Sequence, residues 1–413
     1  MKLTEKCSYL LDFFIQNNFI NHIKHNKETN HIFRELYQDV YNAYNNVMNL
    51  KKKDFYKMNI KKINNVNEIS KPQLFNANSF PHKIRNHINN FSLYEISFFF
   101  SLNERNITVH FITEEIYPDI KTYKKYLDWI TMWLQIISNY SDKKCSKNLI
   151  IYLYFTDLQK ELPTSNVEIL DQNNINTAFT STCPVNSEII VFRKEEWFKV
   201  LIHETFHNFA LDFSDMNVNE CHKKILSIFK VKSSVNLYES YTEFWAEIIN
   251  GVFCSFLILK NKNNYKEFLK ILEFILNFEK THSYFQLVKI LNFMGLKYKD
   301  LYDDSEPSIS LRNTLYKEKT NVLSYFVIKL ILLNNYQEFI GWCSKNNISL
   351  FHFKKTDKNL MEFCKFIENN YKSPSLLKGI ENTDYFINKE LQNKNSKNDY
   401  LLYNLRMSLF EMC

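Results

Sequence analysis

An α+β fold flanked by helices is what this sequence predicts, on three observations. Breakers are scarce, with 4 Gly and 7 Pro in 413 residues. That is too few for a many-turned all-β sandwich or for a Gly- or Pro-rich chain. Strand-like runs are confined to the middle of the chain and precede a long helical stretch, the pattern of segregated α+β layers. Both ends read as helical. The composition, 45% hydrophobic and 23% charged, is that of a globular protein and not of a disordered one. Aromatic residues are abundant, with 36 Phe and 25 Tyr.

Taken in order, residues 4–50 place Leu10, Phe13 and Phe14 at helical spacing. His22, His25 and His31 in this segment read as surface residues. The basic, Asn-rich stretch 51–67 reads as a linker or exposed loop. Two β-rich runs, 94–102 and 107–112, surround the polar turn Asn103-Glu104-Arg105-Asn106 and predict a β-hairpin. A helix over 119–139 carries Tyr126, Ile130, Trp133 and Ile137 on one side. Residues 148–155 form a buried strand, and 175–180 and 188–192 two shorter ones. Beyond Arg193 the chain reads helical, with loops near 214–220, 303–310 and 372–384. The expected division is a helical region 1–90, a catalytic core 91–260 and a helical region 261–413.

Charge and cysteines narrow the function classes. The net charge of +7, from 52 basic and 45 acidic residues, lacks the strongly basic, clustered face of a nucleic-acid binder. Nucleic acid is therefore not an expected partner. The 8 cysteines are scattered with no C-x-x-C, and they read as reduced thiols in a cytosol-like compartment. The N-terminal stretch lacks the apolar core of a signal peptide. The longest apolar run, 251–259, is too short to span a bilayer, which takes roughly 20 residues. The expectation is a cytoplasmic protein with no membrane partner.

The chemistry is concentrated in Trp197-Phe-Lys-Val-Leu-Ile-His203-Glu204-Thr-Phe-His207. His203 and His207, four apart, project from one face of a helix, as two ligands of a tetrahedral Zn²⁺ must. Glu204 lies beside them, where a carboxylate takes a proton from an activated water. The flanking residues are apolar, so these polar groups are buried and need partners. A third ligand is required. Continuing the motif with a Gly and a third His fails, because those positions hold Ala210 and Phe213, and using Asp212 requires a register slip. A later helix offers Glu239, Glu243 and Glu247, recurring every four residues on one face among Phe244, Trp245, Ile248 and Ile249.

His-Glu-x-x-His followed by Glu243-Phe-Trp-Ala-Glu247 resembles the gluzincin metallopeptidases, most closely the pattern of the anthrax lethal factor type. The stretches 176–184 and 191–200 also resemble uncharacterised metallopeptidase-like proteins of large DNA viruses. The resemblance covers roughly residues 90–260. It implies a zincin-like core with a small mixed sheet behind the active-site helix, and Glu243 as third zinc ligand. It also implies Glu247 as a carboxylate orienting a ligand histidine, with Glu239 the rival ligand. Glu204 is the implied general base, and Tyr241 or Tyr238 the donor to the oxyanion. The edge strand, 176–180 or 188–192, is expected to pair with an extended peptide or protein substrate. If the source is viral, the expected setting is the host cytoplasm or the virion. The reading is a zinc endopeptidase. Its rivals are a catalytically silent zinc-stabilised scaffold or virion protein, and a nucleic-acid-binding helical protein with an accidental motif.

Overall fold

Six strands build one mixed sheet: β1 (Tyr56–Lys62), β2 (Tyr94–Leu102), β3 (Arg105–Thr113), β4 (Asn148–Phe155), β5 (Ala178–Thr180) and β6 (Asn186–Val191), in the order β1-β2-β3-β4-β6-β5. The computed structural model describes residues 3–17, 19, 22–392 and 399–413. β2 and β3 form the expected hairpin, closed by Asn103 and Glu104 at φ 49° and 64°. Two consecutive left-handed residues give the turn whose twist matches paired strands. β4 runs parallel to β3, and β6 parallel to β4. The short β5 lies antiparallel at the outer edge, Ala178 opposite Val191 and Thr180 opposite Ile189.

Around the sheet lie α1 (Glu5–Gln16), α2 (Lys27–Lys51), α3 (His82–Phe91), α4 (Ile120–Ser138), α5 (Gln172–Ile175), α6 (Trp197–Asn208), α7 (Asn219–Ile228), α8 (Leu237–Ile258) and α9 (Tyr265–Met294). They are followed by α10 (Glu306–Leu315), α11 (Lys329–Asn334), α12 (Tyr336–Asn346), α13 (Asp357–Asn370), α14 (Pro374–Gln392) and α15 (Asp399–Tyr403). A π-helical turn, Leu323–Ile328, leads into α11. This is an α+β fold with helical flanks. α4 and α6 pack on one face of the sheet, α8 lies against α6, and α9 against α8. The main apolar cluster runs from Cys7 to Met412, so helices from both flanks share one core with the sheet. A smaller cluster on the other face is built from Ile63, Phe75, Phe80, Ile84 and Ile88 against Tyr154 and Phe192. No helix among the described residues is long and apolar enough to cross a membrane.

The structure departs from the sequence expectation at several points. The stretch read as a linker contains β1, whose Lys57 to Ile60 are exposed; its Lys and Asn residues suit an exposed sheet edge, where charged side chains guard against further pairing. The loops expected at 303–310 and 372–384 contain the starts of α10 and α14, where Pro307 and Pro374 sit in the first turn. Proline is tolerated there because that N–H has no intrahelical acceptor. Cys145–Cys183 and Cys221–Cys364 are disulfides, against the expectation of reduced thiols throughout. His25 is not a surface residue: it is buried against Phe33 and Tyr336.

Candidate metal centre

The helix carrying the motif is fixed at both ends. Glu196, at φ 60°, stands at the start of α6. Its buried carboxylate accepts from Lys160 Nζ at 2.7 Å, Met407 N at 2.9 Å and Ser408 N at 2.6 Å. Trp197 then packs among Tyr126, Trp129 and Phe155. At the far end Asn208 donates to Thr180 Oγ1 at 2.9 Å and Ser181 O at 3.3 Å, tying α6 to the edge strand β5. The chain leaves α6 through Ala210 at φ 55°. That left-handed residue turns the backbone so that Asp212 comes back beneath His207.

α6 and α8 pack antiparallel: Lys199 and His203 both meet Glu243, and His203 and His207 both meet Glu239. The Nε2 atoms of the two histidines are 3.1 Å apart, and Glu239 Oε2 lies 3.2 Å and 3.5 Å from them. The donor atoms of His203, His207 and Glu239 all fall within 4.8 Å of one another. Neighbouring ligands at about 2.0–2.1 Å from a tetrahedral zinc are separated by roughly 3.3 Å, so this donor set fits that ion in type and in spacing.

Glu243, expected as the third ligand, occupies a different place. It accepts from His203 Nδ1 at 2.9 Å and pairs with Lys199. The reason is the register of α8 against α6: Glu243 sits one turn further along, opposite Lys199, and Glu239 takes the position facing both Nε2 atoms. Asp212 does for His207 what Glu243 does for His203, accepting from Nδ1. Each imidazole thus has a carboxylate behind it and its Nε2 directed to the common point, the arrangement that fixes the tautomer of a metal-binding histidine. Glu247 meets no histidine. It accepts from Lys329 Nζ at 2.7 Å and from Ser283 Oγ at 3.3 Å, deep in the core.

The electrostatics are those of a site built for positive charge. Burial works against protonation of both imidazoles, yet Glu239 and Glu243 raise His203 above its ordinary value, and Asp212 with Glu239 raises His207 well above it. Burial would also raise Glu239 and Glu243, but the histidines outweigh it at Glu239, and Lys199 does so at Glu243. Glu204 behaves differently. Burial pushes its carboxyl up to about 6. It makes no side-chain hydrogen bond to any described residue, and lines a small cavity of about 30 Å³ with Ala178, Tyr325 and Met407.

Neither tyrosine named from the sequence lies over this cavity. Tyr241 is turned into the core, donating to Phe351 O at 2.9 Å and accepting from Asn347 at 2.8 Å. Tyr238 stands edge-on to His207 with ring centroids 5.9 Å apart. The residue in place is Tyr325, from the π-helical turn. Its hydroxyl donates to Glu239 Oε2 at 2.8 Å and its ring lies 6.0 Å from that of His203. No motif flagged it, although π-helical turns concentrate at functional sites. Lys199 was legible in principle, being one turn before His203 on the same face.

No family model matches the chain, and no solved structure matches it. Over 230 residues it is 25% identical to an uncharacterized protein, R210, of Acanthamoeba polyphaga mimivirus. That stretch is 55% of this chain and 52% of the relative, so the chain spans about half the length of the curated relative it matches. The similarity fits the expected link to viral proteins and carries no activity with it.

Proposed function

We propose that the chain is a zinc-dependent endopeptidase of zincin-like architecture, with His203, His207 and Glu239 holding the metal and Glu204 as general base. The observation that carries this reading is Glu204 itself: a buried carboxyl without a hydrogen-bonding partner, beside a converging His₂Glu donor set. A structural zinc site has no use for that group. Bound at the donor set, zinc supplies Lewis-acid polarisation of a carbonyl and acidifies water. Glu204 receives the water proton on its free carboxylate and returns it to the leaving amine. Glu243 and Asp212 keep the Nδ1 protons of His203 and His207 in place, so that both Nε2 lone pairs point inward. Tyr325 offers the O–H that a developing oxyanion needs. β5, at the sheet edge, presents backbone to an extended peptide or protein substrate.

The test is metal content by plasma mass spectrometry, together with cleavage of a peptide library, on wild type and Glu204→Gln. The proposal expects about one zinc per chain in both and cleavage only in wild type. A second reading, a silent zinc-stabilised scaffold, draws on the tightness of the cavity at Glu204, which at about 30 Å³ holds water but no side chain. One zinc per chain with no cleavage by wild type would favour it, and absence of zinc would remove both.

A further inference from the structure

α9 and α14 enclose a cavity of about 850 Å³, with none of its lining residues in the metal centre. The volume is in the range of small-molecule sites, roughly 300–1,000 Å³. Its wall is mixed, with Tyr284, Leu377 and Phe386 forming an apolar, aromatic part beside polar and charged residues. Gly379 forms part of it, and a Cβ there would lie 2.5 Å from the Tyr284 ring, so the two helices meet as closely as a side chain allows.

One charged group in this wall is buried. Lys280 is 2% exposed, and among the described residues it has no hydrogen-bond or ion-pair partner. Lys378, Glu381 and Asn382 also line the cavity, Glu381 and Asn382 from exposed positions, while three buried hydroxyls are engaged within the protein. Thr281 Oγ1 donates to Asn277 O at 2.8 Å, Thr383 Oγ1 to Gly379 O at 2.7 Å, and Tyr284 OH to Asn334 Oδ1 at 2.6 Å. An ammonium buried without a counter-charge is costly, and natural chains keep one rarely without a partner. Burial lowers this amine to about 8. The open space beside it is large enough to admit a counter-ion.

We propose that this cavity is a binding site for a small amphiphilic carboxylate, its carboxylate paired with Lys280 and its apolar body against Tyr284, Leu377 and Phe386. The site is independent of the peptidase reading. Its carboxylate and the desolvated ammonium carry opposite charges, so they form an ion pair, which a neutral ligand of the same shape does not make.

The probes are 2-naphthoate and its neutral counterpart 2-naphthalenemethanol, titrated against the full chain and followed by naphthyl fluorescence and calorimetry. Wild type should bind one naphthoate per chain, at least about tenfold more tightly than the alcohol. Lys280→Met should bring naphthoate down to the level of the alcohol, and Lys280→Arg should keep the preference. Equal binding of the two probes, no saturable naphthoate binding, or a preference that survives in Lys280→Met would overturn the proposal. Lys280→Met exchanges an unpaired ammonium for a thioether of similar length, so it should fold. Should it not, the two-probe comparison on wild type decides alone.

Discussion

Glu243 accepts from Nδ1 of His203 at 2.9 Å, on the edge of the ring away from His207 and Glu239. In the proposed zinc site Glu239 would therefore act on metal capture directly, and Glu243 through the orientation of His203. Glu239→Gln should reduce bound zinc to less than about a tenth of stoichiometric. Glu243→Gln should still take one zinc at saturation, with affinity lowered about 10–100-fold, the usual effect of losing a partner behind a ligand histidine. Competition against a chromophoric chelator measures both. The reverse order of severity would put Glu243 on the metal.

Tyr325 and Tyr241 separate chemistry from packing. Tyr325→Phe removes the hydroxyl over the donor set and leaves the ring, so kcat should fall by about 100-fold while KM hardly moves. Tyr241→Phe breaks the bonds to Phe351 O and Asn347 in the core. It should cost about 1 kcal/mol of stability and leave kcat per folded molecule intact. Peptide hydrolysis and denaturant titration on the two variants check this pair. Equal kcat in Tyr325→Phe and wild type would remove the tyrosine from the mechanism.

Lys329 and Glu247 form an ion pair with side chains 2% and 0% exposed. Removing one member leaves the other charge buried and unpaired, so Lys329→Met should destabilise by about 3–5 kcal/mol. Removing both is much milder: Lys329→Met combined with Glu247→Leu should recover most of that loss. Urea unfolding of wild type, Lys329→Met, Glu247→Leu and the double variant reads the cycle. A double variant as unstable as the sum of its single changes would mean that the two residues act independently.

What was legible in the sequence was local. His203 and His207 share a face because the α-helical period dictates it, and Glu204 came with the motif. The choice between Glu239 and Glu243 was not local. Both lie on one face of α8, and only the antiparallel register of α6 and α8, with Lys199 opposite Glu243, decides which faces the Nε2 atoms. Tyr325 reaches the site from a distant π-helical turn that no periodicity marks. In the fold, β2, β3 and β4 stood out as apolar runs, whereas β1, with Tyr56, Met58 and Ile60 set among Lys and Asn, lies inside a basic, Asn-rich stretch that masks it. α14 opens on Pro374 inside the stretch expected as a loop near 372–384.

His25 supplies a pH dependence whose sign follows from its burial. Both ring nitrogens are buried without a partner, and the ring lies 4.9 Å from Phe33 and 5.8 Å from Tyr336, centroid to centroid. Burial lowers its pKa to about 4, with Glu273 opposing only in part. In the unfolded chain the imidazole titrates near 6.5. Between these values the unfolded state holds the extra proton, so stability rises with pH in this window. The contribution is complete above about 6.5 and is lost as the pH falls to about 4. The 2.5-unit gap corresponds to an upper limit on the order of 3 kcal/mol. His25→Leu fills the same apolar site with nothing to protonate. Urea unfolding at pH 7 and pH 4 should show wild type losing up to that much more stability than the variant, the carboxylates common to both cancelling in the comparison. Parallel losses in the two proteins would mean that the folded chain protonates His25 as readily as the unfolded one, and that the ring is reached by water.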